Sequence, residues 1–358
     1  MINVTKSYLP PIEEYNSYLQ KLWQSRWLTN RGELVRELEE EICKKLSLDH
    51  LLFVSNGTIA IQVAIKVLEL SGEIITTPFS YVATTTSVLW ENCTPVFCDI
   101  DPSTFCIDAA KIEALITPKT SAILATHVYG IPCDVEKIEA IAKKHNIKVI
   151  YDAAHAFGVR LNGKSIFSYG DISTCSFHAT KVFHTIEGGS ITCNIPELRD
   201  RFFKYHTFGH IGDDYYSIGI NAKNSEFHAA MGLCNIKVID KLIEGRKSVN
   251  DKYDSLLKRD KITQPKIGGN ITYNYAYYPV VFRSEKEVVQ VRKELQEIGV
   301  STRRYFYPSL NNLPYLKGAA ACPVSEDIAS RVLCLPMYPD LEEEWIEKIA
   351  NKINSLTK

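Results

Sequence analysis

The sequence predicts an α/β protein: a large domain with a mainly parallel sheet over residues 1–240, then a smaller α+β C-terminal domain over residues 241–358. Three observations predict it. Short apolar runs alternate with amphipathic helical stretches through the first two thirds of the chain, the pattern of strand–helix–strand units covered on both faces. After about residue 235 that alternation gives way to a long charged helix and a polar, Gly-rich stretch at 264–270. The length of 358 residues, with 45% hydrophobic and 23% charged, is ordinary globular usage but more than one core usually supports.

The elements follow in order. Residues 31–46 have helical spacing, with Leu34, Leu38, Ile42 and Leu46 on one face. The apolar run 51–54 reads as a strand that ends at Ser55-Asn56-Gly57-Thr58, and 59–70 as a helix with Ile61, Ala64, Ile65 and Leu68 buried. Strands are predicted at 73–77, 95–98, 121–126, 148–151 and 172–175. Helices are predicted at 82–90 and 134–145, the latter capped by Asp134. In the C-terminal unit the spacing predicts helices at 238–259, 285–298 and 342–356 and a strand at 275–282.

Composition excludes several classes of function. Lys plus Arg is 41 and Asp plus Glu is 42, a formal net charge of −1, so no basic surplus exists to neutralise a nucleic-acid backbone. The longest apolar stretch, 74–90, is interrupted by Pro78 and by Thr and Ser residues, so no membrane span is expected. The start of the chain does not read as a signal peptide. Ten cysteines are scattered without a CxxC pair and read as reduced core thiols in a cytoplasmic protein rather than a zinc site. His206 and His210 stand four apart but lack the glutamate of an HExxH metal motif. Glu226 reads as the acidic opening of a helix.

In a parallel sheet, ligands bind beyond the carboxyl ends of the strands. The polar residues there are Gly57, Thr58, Tyr81, Asp152 and the run Ser176 to Lys181. Lys181 lies in a polar-aromatic stretch; a lysine held there is partly desolvated, which frees its amine to attack a carbonyl. A lysine alone is ordinarily a solvated charge, but Asp152 follows an apolar strand 29 positions earlier (181 − 152), close enough to share a sheet edge. An aspartate against a ring nitrogen and a lysine at an aldehyde are what pyridoxal phosphate needs to act as an electron sink. Asp152 also suits a helix cap. Asn56-Gly57-Thr58 offers amides at a helix N-terminus for a phosphate, though an ordinary strand–helix turn looks the same, and Ser176 adds a hydroxyl. Tyr81 suits either stacking on a flat ring or core packing.

The run SFHATKVFHTIEGG (176–189) resembles the cofactor-lysine segment of the DegT/DnrJ/EryC1/StrS sugar aminotransferases. WLTNRGELVRELEEEI (27–42), SNGT (55–58), PFSYVATTTSV (78–88), THVYGIPCD (126–134), YDAAHAFG (151–158) and GINAKNSEFHAAMG (219–232) match in order over most of the chain. The resemblance implies the aspartate-aminotransferase architecture, fold type I of the pyridoxal-phosphate enzymes. It implies pyridoxal 5'-phosphate as cofactor, passing through pyridoxamine phosphate. Lys181 is then the cofactor lysine and proton shuttle, Asp152 pairs with the ring nitrogen and Tyr81 stacks on the ring. Gly57, Thr58 and Ser176 bind the phosphate, and Asn221 reaches it from the neighbouring subunit of a homodimer. His155 stands near the phenolic oxygen, where the family commonly has glutamine. His178, Lys223, Arg303 and Tyr305 are candidate substrate contacts; Arg303 to Pro308 replaces a histidine–tyrosine pair found in many members.

Within the family, FHATKVFHTIEGG, GINAKNSEFHAA and RRYFYPSLNNLPYL resemble the branch that moves an amino group from L-glutamate to C4 of dTDP-4-dehydro-6-deoxy-D-glucose, for surface polysaccharide such as O-antigen. A 3-keto or other 4-keto nucleotide sugar is the alternative substrate. Sugar dehydratases of this fold carry histidine at the lysine position, so Lys181 argues against that chemistry. A non-catalytic regulatory protein of the same fold would bind no chromophore.

Overall fold

The computed structural model describes residues 1–357. Its centre is a seven-stranded sheet: β1 (Leu52–Val54), β2 (Glu73–Thr76), β3 (Thr94–Phe97), β4 (Thr120–Thr126), β5 (Lys148–Asp152), β6 (Ile172–Ser176) and β7 (Gly189–Cys193), in the order β1-β7-β6-β5-β4-β2-β3. β7 runs antiparallel to both neighbours, and the other adjacent pairs are parallel.

Strand side chains alternate between two apolar clusters, as the pleat requires. Ile74, Leu124, Ile150 and Ile172 face one layer, and Ile75, Ile123, Tyr151 and Cys175 the other. The flanking helices are α1 (Ile12–Ser25), α2 (Glu33–Leu46), α3 (Gly57–Val67), α4 (Val82–Trp90), α5 (Val135–His145) and α6 (Arg199–His206). The long α7 (Glu226–Leu256) then supplies Ala229 to Ile239 to the sheet-side core and Val249 and Tyr253 to a second core. That second core is completed by β8 (Tyr278–Val281), β9 (Val332–Leu335), α8 (Glu285–Glu297) and α10 (Glu343–Leu356), and α9 (Pro323–Arg331) precedes β9. A division at residue 240 falls inside α7.

Several expectations need correction. The helix expected at 238–259 begins twelve residues earlier, at Glu226, because its first turns are buried against α2 rather than patterned for solvent. The strand expected at 275–282 shortens to Tyr278–Val281: Asn274, fully buried, donates to the carbonyls of His155 (2.8 Å) and Phe157 (2.9 Å) and ties the preceding segment to the large unit. β7, β9, α1, α6 and α9 were not expected; β7 is covered on both sides yet carries Ser190 and Thr192, which hide its apolar signal. Glu226 opens α7, but its carboxylate caps another helix, accepting the N–H groups of Gly32 (2.7 Å), Leu34 (2.8 Å) and Val35 (3.2 Å) at the start of α2. All ten cysteines are free thiols. Among the described residues, no helix is long and apolar enough to cross a membrane.

Candidate active site

The carboxyl ends of β1, β2, β5 and β6 open onto a cavity of about 260 Å³. Gly57, Thr58, Tyr81, Asp152, His155, Ser176, His178, Lys181, Arg303 and Tyr305 all line it. Asn221 and Lys223 do not: Asn221 is exposed and bridged to Thr207, and the Lys223 ammonium lies 4.3 Å from the centre of the Phe208 ring. Both sit on the surface segment that leads into α7.

The turn after β1 is shaped to receive an anion. Asn56 is the N-cap of α3, and its Oδ1 accepts from the Ile59 N–H at 2.8 Å. The helix geometry leaves the N–H groups of Gly57 and Thr58 without an intrahelical acceptor, directed out of the helix start. A Cβ on Gly57 would lie 3.0 Å from the Cβ of Ser176 and 3.3 Å from its Cα, so any larger residue would have to push α3 and the end of β6 apart by a few tenths of an ångström. Two amides and the Ser176 hydroxyl are thereby gathered at one place, a donor set suited to a phosphate.

Asp152 is the last residue of β5 and is 5% exposed. Its Oδ2 accepts from the Thr84 hydroxyl at 2.7 Å and its Oδ1 from the Ala154 N–H at 3.1 Å. Burial pushes its carboxyl above the ordinary range, while those two hydrogen bonds and the charge of Lys181 pull the other way. Burial likewise pushes the Lys181 amine below its ordinary 10.5, opposed chiefly by Asp152. A lysine so placed loses its proton more readily than a surface lysine and becomes a nucleophile and base. Lys181 Nζ donates to the Tyr277 hydroxyl at 3.5 Å.

His155 stacks on Phe306 at 5.5 Å and meets the edge of Tyr277 at 5.0 Å. Burial pushes its imidazole well below its ordinary value, with Lys181 adding to the effect, so the ring is neutral. Its Nδ1 accepts from the Tyr129 N–H at 3.3 Å, which leaves the proton on Nε2. A neutral histidine fixed in this tautomer is a hydrogen-bond donor, the property a glutamine would also bring. Tyr81, at the N-cap of α4, is 52% exposed, which sets aside core packing.

Sequence reasoning did not single out Thr84, Ser80, Tyr277 or Phe306. Ser80 and Thr84 are spaced i, i+4 across the start of α4, a pattern that places two hydroxyls on one helix face. Tyr277 and Phe306 come from the C-terminal unit; Phe306 lies within the marked run Arg303 to Pro308, whereas nothing local in the sequence marks Tyr277.

A pyridine ring that carries an aldehyde and a phosphate arm fits this donor set. The cradle, the buried carboxylate and the buried amine are three separate groups converging on one cavity. The profile of the DegT/DnrJ/EryC1/StrS aminotransferase family matches residues 11–354. The chain belongs to that family. It is a pyridoxal-phosphate-dependent aminotransferase of fold type I. It is 41% identical over 364 residues to the dTDP-4-amino-4,6-dideoxy-D-glucose transaminase of Shigella dysenteriae, covering 99% of each chain. It is 40% identical over 363 residues to the enzyme of the same name from Escherichia coli, covering 97% of this chain and 96% of that one. Among solved structures it is similar to DesI in the presence of its TDP-sugar product, with a TM-score of 0.94 and 30% identity over 99% of this chain and 92% of that one.

Proposed function

We propose that this aminotransferase moves the amino group of L-glutamate to C4 of dTDP-4-dehydro-6-deoxy-D-glucose. The products are 2-oxoglutarate and dTDP-4-amino-4,6-dideoxy-D-glucose, a precursor for surface polysaccharide. The observation that carries the substrate is full-length identity of 41% and 40% to two transaminases named for that product. Ten free thiols support a reducing, cytoplasmic setting.

Bound pyridoxal phosphate supplies an electron sink that makes the proton next to the transferring nitrogen removable. Gly57, Thr58 and Ser176 would hold the phosphate, Tyr81 would cover the ring, and the Nε2 proton of His155 would be available to its phenolic oxygen. Asp152 would pair with the ring nitrogen and favour its protonated form. Lys181 Nζ, which burial favours in its unprotonated form, takes the proton from the donor's α-carbon and later delivers one to C4 of the sugar. His178, Arg303 and Tyr305, at the wall of the cavity, contact the sugar nucleotide.

Asn221 and Lys223 belong in the cavity of a second copy, in a homodimer with shared sites. The segment that carries them exposes Phe208, Ile211, Tyr215, Tyr216, Ile218 and Ile220, an apolar surface that supports such a contact. The division of function follows the chain, with residues 1–240 binding the cofactor and 241–358 closing the substrate side.

The test is incubation with pyridoxal phosphate, nitrogen-15 glutamate and the 4-keto sugar nucleotide, with NMR of the sugar. The expected product carries the label on C4 in the glucose configuration and is absent with Lys181→Ala. Glutamate converted with the sugar untouched overturns the substrate and directs attention to a 3-keto sugar. A protein that never acquires a chromophore overturns the enzyme reading itself.

A further inference from the structure

Three consecutive parallel strand ends place hydroxyls in a row behind Asp152. Thr126 ends β4 and is the direct Cα partner of Asp152 in the β4–β5 pairing. Ser80 and Thr84 stand at the start of α4, the helix that follows β2, on the other side of β4. Thr126 and Thr84 are 0% exposed and Ser80 2%. The Thr126 hydroxyl donates to Ser80 Oγ at 3.0 Å, Ser80 Oγ and Thr84 Oγ1 are 2.7 Å apart, and Thr84 donates to Asp152 Oδ2 at 2.7 Å.

The direction of the row follows from proton counting. A hydroxyl has one proton to give. With Asp152 ionised, the Thr84 proton faces the carboxylate, so Ser80 must donate to Thr84, and Thr126 in turn donates to Ser80. All three O–H dipoles then point at Asp152, and hydrogen bonds in such a file strengthen one another in a low-dielectric interior. An isolated threonine beside a buried carboxylate would supply one hydrogen bond. Here two further hydroxyls, both on buried residues, orient that one. Packing alone does not require them, since valine has the shape of threonine and alanine is close to serine, and neither needs a partner.

We propose that Thr126, Ser80 and Thr84 form a one-way file of hydroxyls that positions Asp152 and keeps it ionised against the ring nitrogen of the cofactor, making Thr84 a positioning residue of the reaction. The proposal rests on the reading of Asp152 as the partner of that nitrogen. The second carboxylate oxygen is held by the Ala154 N–H, so the two contacts together fix the plane of the carboxyl group. Burial drives this carboxylate toward its protonated form, and the file works against that tendency.

The test loads wild type, Thr84→Val, Thr84→Ser and Thr126→Val with pyridoxal phosphate labelled with nitrogen-15 in the ring. It then measures the ring nitrogen shift by NMR, the cofactor dissociation constant, kcat and KM. In Thr84→Val the ring nitrogen is expected to move toward its unprotonated shift. Its kcat is expected to fall roughly ten- to a hundredfold, the size set by losing one hydrogen bond to a charged group, with KM near the wild-type value. Thr84→Ser restores both, and Thr126→Val gives a smaller shift in the same direction. A Thr84→Val protein with wild-type ring nitrogen and kcat overturns the proposal while leaving the functional reading intact. So does a Thr84→Ser protein that fails to recover, because a merely structural role would depend on the missing methyl. A wild type that does not take up the cofactor overturns both.

Discussion

Helix α2 begins without a cap of its own, since its N-cap is Gly32, and the carboxylate that serves it comes from 194 residues further along the chain. Glu226 is 1% exposed and holds three N–H groups at 2.7, 2.8 and 3.2 Å. Replacing it with glutamine preserves shape but leaves one oxygen for three donors and turns an NH₂ toward at least one of them. A hydrogen bond to a charged acceptor contributes about 1.5–3 kcal/mol, and an orphaned buried N–H adds its desolvation cost, so Glu226→Gln should lose about 2–4 kcal/mol. With an unfolding entropy of about 2.1 cal/mol/K per residue over 358 residues, that lowers Tm by roughly 3–5 °C. Gly32→Ala tests the same contact from the other side, because its Cβ would lie 2.7 Å from Glu226 Cδ. Thermal unfolding of the cofactor-free protein, followed by far-ultraviolet circular dichroism, gives both numbers. Two variants that melt within about 1 °C of wild type would refute the capping role.

Three further outcomes follow from the site. The rate at which cofactor-free protein captures pyridoxal phosphate should rise with pH with a midpoint below the ordinary lysine value of 10.5, since the lowered amine sheds its proton earlier. Asp152→Asn, which removes the opposing charge, should move that midpoint lower still, and a midpoint at 10.5 for wild type contradicts the burial argument. Because His155 is held well below 6.5, it contributes no step to the activity profile between about pH 6 and 8. His155→Gln should stay within about threefold of wild type and His155→Leu should lose about tenfold, as one donated hydrogen bond predicts; equal losses would remove the donor role. Gly57→Ala pushes the α3 amides away from Ser176, with contacts of 3.0 and 3.3 Å to relieve. The cofactor dissociation constant should rise about tenfold or more while the unliganded Tm changes by roughly 2 °C or less; unchanged affinity shows that the cradle lies elsewhere.

The large unit was legible because its signals are local. Apolar runs at β2, β4 and β5 and the spacing of α2 and α3 need no tertiary context, and the polar residues that follow those strands fell into one cavity. β7 was illegible because a strand sheltered on both sides can carry Ser190 and Thr192 where an apolar residue would have announced it. Glu226 was readable as the acidic opening of a helix, but the helix that follows was placed from its charged part at 238, because its first turns are buried. Lys181 and Asp152 were readable from their chemistry, whereas Thr84 and Thr126 were not: a threonine is an ordinary residue until the fold aligns its proton with a carboxylate. Tyr277 reaches the site only through the packing of the C-terminal unit, which no stretch of sequence near it marks, whereas Phe306 comes with the run Arg303 to Pro308.

The central claim is that Lys181 is the residue to which the cofactor attaches. Borohydride reduction of the protein loaded with pyridoxal phosphate, followed by peptide mapping by mass spectrometry, tests it most directly. The account predicts the cofactor's mass on the peptide containing Lys181, at one per chain, and on no other peptide. Attachment to a different lysine, or none in a protein that has bound the cofactor, would contradict it.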